Sequence, residues 1–192
     1  MRKILSLIVL CVLGLNSLAG AVITVIDFES CPAGSMSSYT ESGVTFTPVT
    51  AGKQFYATLS PSGSNGIIGT TIAYTEIRAD ISGGTNFVSI DLGDYGQDSD
   101  LLFLEIYDAC DVLIDSTTLL IDGQFVGMKT LSLSHSSIFS AVFGARDPAL
   151  NGSSVYADNF KFESSCIPAP GAVILAAMGT SIVGYLRRRK TL

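Results

Sequence analysis

The chain has no tryptophan and one histidine, His135. Its basic residues are scarce where its acidic residues are dense. Between Ala21 and Ser165 there are five basic residues (Lys53, Arg78, Lys129, Arg146, Lys161) against all 17 acidic ones, a net charge of −12. A segment this acidic repels phosphate, which excludes nucleic acid as a partner. With one histidine, any Ser-His-acid triad would have to be built on His135, in Leu133-Ser134-His135-Ser136-Ser137. No Gly-x-Ser-x-Gly elbow frames a nucleophile, so the expectation is a non-enzyme. No cysteine pair has zinc-ligand spacing.

Long amphipathic helical patterns are also missing from the middle of the chain. Short apolar or alternating runs recur instead: 22–28, 43–48, 54–59, 72–78, 87–92, 101–107, 112–120, 129–133, 138–143 and 154–162. Gly, Pro, Ser and Asn punctuate them, as at 30–35, 61–66 and 82–86. At most one helical turn is expected, at Asp80–Ser82. The runs on either side of Asp108-Ala109-Cys110-Asp111 form the clearest hairpin. This spacing predicts an all-β, antiparallel β-sandwich, jelly-roll-like in topology, over residues 21–165. The lack of tryptophan speaks against an immunoglobulin-like alternative.

Charge is placed oppositely at the two ends. Arg2-Lys3, the apolar run Ile4–Leu15 and the small residues Ser17–Ala21 have the three parts of a secretory signal peptide, assigned to residues 1–20. At the other end, residues 166–171 read as a linker containing Pro168-Ala169-Pro170. Residues 172–192 read as a single transmembrane helix with a basic stop, Arg187-Arg188-Arg189-Lys190, on the cytoplasmic side.

The Pro-x-Pro motif, the glycine-containing apolar helix and the terminal arginine cluster resemble the bacterial PEP-CTERM sorting signal. The resemblance covers the signal peptide and about the last 26 residues. It implies recognition by an exosortase-type sorting enzyme, a membrane-anchored precursor, processing near Pro168-Ala169-Pro170, and delivery to the cell surface or an extracellular polysaccharide matrix. Ala169 stands where that family usually has Glu. The expected role is structural or adhesive. The alternatives are a carbohydrate-binding module, which would show an aromatic-lined concave sheet, and a surface hydrolase, which would show a pocket around His135. The scattered tyrosines (39, 56, 74, 95, 107, 156) are candidate sugar platforms.

Two places suggest calcium. Asp91, Asp94, Asp98 and Asp100 lie within ten residues with Gly93 and Gly96 between them, so several hard oxygen ligands could converge. The stretches Asp27-Phe28-Glu29 and Tyr156–Phe160 resemble the adjacent first and last strands of carbohydrate-binding-module-like jelly rolls. That resemblance implies a second calcium set, Asp27, Glu29, Asp158 and Asn159. Antiparallel pairing of those strands would put Cys31 and Cys166 at opposite ends, which leaves Cys31–Cys110 as the expected disulfide. Asn151-Gly152-Ser153 matches a glycosylation acceptor, read here as a turn.

Overall fold

In the computed structural model the described residues are 22–69, 76–96, 98–146 and 155–164. They form antiparallel strands and no helix: β1 (Val22–Ile26), β2 (Gly34–Met36), β3 (Tyr39–Glu41), β4 (Val44–Pro48), β5 (Phe55–Leu59), β6 (Asn65–Gly69), β7 (Ile77–Tyr95), β8 (Asp100–Tyr107), β9 (Leu113–Ile121), β10 (Val126–Arg146) and β11 (Tyr156–Ser164). The predicted signal helix, linker and transmembrane helix lie outside the described residues. Among the described residues no helix is long and apolar enough to cross a membrane.

The expected all-β class is present, but two boundaries differ. The stretch 82–86 does not separate two strands, and neither does 134–137. Each lies inside one long strand, β7 or β10. Gly83-Gly84 has the composition of a turn. The two glycines do hold left-handed φ values of 83° and 72°, which other residues resist. The facing strand β10 shifts register in the same place, between Ser134 and Ile138 and again before Ser140. Both strands therefore bend together and stay paired. The helical turn expected at Asp80–Ser82 is also strand, with Asp80 opposite Ser140.

That shared bend divides one hydrogen-bonded sheet into two layers. The first layer runs β3-β4-β7-β10-β8-β9, through the first part of β7 and the last part of β10. The second runs β2-β5-β6-β11-β7-β10, through the other parts of β7 and β10, with β1 paired to β11. The first and last strands thus lie side by side.

The core fills the space between the layers. Phe160 of β11 meets Phe46 of β4 edge-on at 5.3 Å, and Phe143 of β10 at 6.0 Å. All three rings are buried, with Ile26, Phe28, Ile90, Leu92 and Leu104 around them. Fully burying each such side chain contributes about 1.5–3 kcal/mol. Period-two alternation sends the neighbours of these residues to the outer faces. In β8, Leu102, Leu104 and Ile106 point inward, while Phe103, Glu105 and Tyr107 belong to the other face.

Candidate functional site

The outer face of the first layer carries a groove of about 450 Å³, lined by residues that include Thr47, Pro48, Glu76, Arg78, Glu105, Tyr107, Asp111, Val142 and Arg146. Cross-strand register assembles it. Arg78 faces Thr47 on one side and Val142 on the other, and Val142 faces Glu105. One row over, Asp80, Ser140 and Tyr107 align. Next to the first row on its other side, Gly144 faces Phe103, and beyond it Arg146 faces Leu101.

Both arginines of the segment 21–165 are in this groove, and both are pinned. Arg78 donates through Nε to Asp80 (2.7 Å), through Nη1 to Asp111 (2.7 Å) and through Nη2 to Ser140 Oγ (2.8 Å). Arg146 donates through Nη1 to Glu105 (2.8 Å) and through Nε to Glu76 (3.2 Å). Each guanidinium also lies over a ring, Arg146 4.0 Å from the Phe103 centroid and Arg78 5.8 Å from that of Tyr107. The Tyr107 hydroxyl donates to Glu105 Oε2 at 2.7 Å.

This network fixes protonation states. Burial pushes the Glu105 carboxyl up, but the hydrogen bonds from Arg146 and Tyr107 outweigh it and hold the group below the ordinary carboxylate value. Burial, then the bond to Glu105, pushes the Tyr107 phenol up to about 12. Glu105 therefore stays ionised and Tyr107 neutral at physiological pH, which gives the groove a fixed pattern of charge.

The acidic clusters sort differently. The ligand oxygens of Asp94, Asp98 and Asp100 lie within 4.8 Å of one another. Asp100 is fully buried and Asp94 nearly so. Beside Asp94, Gly93 lets β7 and β10 run close together, since a Cβ there would lie 1.8 Å from the carbonyl of Gly127. Asp91 is not part of the group. It is an odd number of residues from Asp94 along β7, and its carboxylate accepts the Thr130 hydroxyl on β10 at 2.5 Å.

The second calcium set is not brought together as a group of converging carboxylates. Glu29 accepts from the backbone and side-chain amides of Asn65 at 2.9 and 3.1 Å, and Asp27 accepts from the Glu29 amide at 3.1 Å. Asp158 is fully buried, and its Oδ2 accepts from Ser62 (2.8 Å), Ser64 (2.6 Å) and, at 3.4 Å, Ser60. Its other oxygen accepts from the Asn159 amide at 2.7 Å. Asn159 has φ +50°, at the bulge where β11 skips register against β7. That bulge turns Asp158 into the serine cage.

The expected Cys31–Cys110 disulfide is absent. Cys31 is buried in the core, with its thiol 3.5 Å from the sulfur of Met36, whereas Cys110 is exposed on the β8–β9 turn. Burial, with Glu41 adding to it, pushes the Cys31 thiol up to about 11, so it behaves as a small core hydrophobe. Cys166 and the sorting motif lie outside the described residues. His135 is exposed on β10 and does not line the groove. Among the proposed tyrosine platforms, Tyr107 is in the groove, while Tyr95 and Tyr156 meet edge-on at 5.2 Å.

The sequence reading missed this groove. One signal was available: a segment with only two arginines places both at the polar positions of apolar strands.

Several solved structures are similar. An arabinose-bound α-L-arabinofuranosidase matches at TM-score 0.49 and 11% identity over 77% of this chain, which spans only 27% of that one. The K2 cleaved adhesin domain of Lys-gingipain matches at 0.48 and 12%, over 74% of this chain and 100% of the adhesin domain. A family 29 carbohydrate-binding module matches at 0.44 and 14%, over 74% and 92%. No protein-family model matches the chain, and no curated protein matches it.

Proposed function

We propose that this is an exported, cell-surface glycan-binding domain, jelly-roll-like in topology, whose ligand lies in the Arg78–Arg146 groove. The observation that carries the reading is the concentration of both arginines there, each held by carboxylates over an aromatic ring. A sugar presents hydroxyls around a ring with apolar C–H faces. Fixed charged acceptors suit the hydroxyls, and Pro48, Val142 and the Tyr107 ring suit the C–H faces. The proposed role is binding, with Glu105 held ionised by Arg146 and Tyr107 as a fixed acceptor.

The test is affinity electrophoresis of the purified chain through gels containing soluble polysaccharides. At least one glycan should retard it, and Arg146→Ala should abolish the retardation while the melting temperature moves little. No retardation by any glycan overturns the reading.

The tail supplies the address in this proposal. A PEP-CTERM-type signal ending in Arg187–Lys190 delivers the domain to the surface, with cleavage at Pro168-Ala169-Pro170. Intact-mass measurement of surface-extracted protein checks this, and residues 171–192 still attached would reject it.

Calcium belongs to the proposal only at Asp94, Asp98 and Asp100. Three carboxylates this close repel, two of them buried and Asp98 exposed, and a hard dication taking their oxygens would offset that repulsion. Calcium should then raise the melting temperature, and a chelator should reverse the rise.

A further inference from the structure

We infer that the groove selects a glycan bearing protonated amines, a partly deacetylated amino-sugar polymer; this rests on the groove being a glycan site. The argument is one of charge and of exposed acceptors. All three nitrogens of Arg78 already donate, to Asp80, Asp111 and Ser140. Two of the three nitrogens of Arg146 are committed to Glu76 and Glu105. Both Glu105 oxygens accept from within the groove, one from Arg146 and one from Tyr107. Each guanidinium is clamped between two carboxylates, so the acids around it fix its position.

The carboxylates face outward. Asp80 and Asp111 each give Oδ1 to Arg78, and their side chains are 50% and 65% exposed. Counting Asp80, four acids surround two guanidiniums, so the site holds an excess of two negative charges. A uronic-acid polymer is repelled there, and a neutral sugar gains nothing from the excess. An ammonium on a sugar ring gains both the charge and the exposed acceptors of Asp80 and Asp111. The net charge of −12 over residues 21–165 steers a polycation toward the domain from a distance.

The experiment compares three soluble polymers by affinity electrophoresis of the full chain in neutral detergent at low salt: an N-acetylated glucosamine polymer, the same polymer deacetylated, and a uronic-acid polymer. Polylysine is the fourth arm. The deacetylated polymer should bind about tenfold or more tightly than the acetylated one, a gap of about 1.4 kcal/mol. Asp80→Asn with Asp111→Asn, the two acids paired with Arg78, should close most of that gap, while Asp122→Asn, which pairs with neither arginine, should leave it open. Equal binding of the two glucosamine polymers overturns the inference but leaves the glycan site standing. The same holds if the preference survives the double substitution. Polylysine binding as tight as the amino sugar, and lost with the same double substitution, replaces the glycan with a basic peptide. Binding to none of the four overturns the inference, and the wider polysaccharide panel then decides whether the glycan site stands.

Discussion

Asp158 and Glu105 are both withdrawn from solvent, and the fold holds them in opposite ways. Asp158 sits at the bulge of β11 inside a cage of neutral donors, three serine hydroxyls and one backbone amide. Glu105 sits on the outer face and is held by a guanidinium that also binds Glu76. The first arrangement closes on itself and ties the β5–β6 loop to the last strand. The second keeps charge at the surface, where a ligand can meet it. One carboxylate is a structural rivet, and the other is part of a recognition surface.

The sharpest way to break this contrast is to remove each carboxylate. Asp158→Ala removes the buried acceptor shared by Ser60, Ser62 and Ser64 and should cost about 2–3 kcal/mol, read by urea unfolding. A loss under about 1 kcal/mol would mean the cage holds nothing together. Glu105→Gln should cost only about 1 kcal/mol of stability, yet weaken glycan retention severalfold, because Arg146 loses its fixed position. If Glu105→Gln destabilises as much as Asp158→Ala, the two roles are not distinct.

Titration sharpens the contrast further. The folded Glu105 value lies below its ordinary one, so its contribution is complete above the usual carboxylate range and fades as pH falls through the folded value. Tyr107 runs the other way. Its folded value is raised from 10.0 to about 12, so its contribution is complete below pH 10 and is lost as pH climbs from 10 toward 12. Tyr39, raised over the same interval by burial and its bond to Glu41, adds to that alkaline loss. Tyr107→Phe should therefore flatten, without abolishing, the alkaline limb of stability against pH. A limb of unchanged slope would sever Tyr107 from Glu105. The smallest effect is chemical. Iodoacetamide should label Cys110 in the native protein and spare Cys31 until unfolding, as peptide mapping would show.

How much of this was legible beforehand depends on sequence range. The β8–β9 hairpin was, because its turn is local: Asp108 Oδ1 accepts from the amides of Cys110 and Val112, and Asp111 takes the left-handed φ of 63°. The layout of short antiparallel strands followed from period-two alternation. The continuity of β7 and β10 did not, because it depends on two strands distant in sequence bending in the same place. β6 was hidden in a stretch read as loop, since Asn65-Gly66 resembles turn chemistry. All three members of the acidic cluster were visible, together with Asp91, which strand parity sets on the face opposite Asp94 and which meets Thr130 instead. The groove was invisible because Arg78, Glu105 and Arg146 become neighbours only through register across β7, β10 and β8.

The paired first and last strands have a mechanical consequence. β11 is an interior strand, flanked by β6, β1 and β7, so traction on the chain beyond Ser164 cannot peel it from an edge. Tension must slide β11 lengthwise against its neighbours, breaking many hydrogen bonds at once instead of one after another. A load arriving at the groove reaches β11 through β10 and β7, the two strands that both layers share. Force entering at the groove and leaving at the C-terminal end is thus carried in shear by the strands at the centre of the sheet.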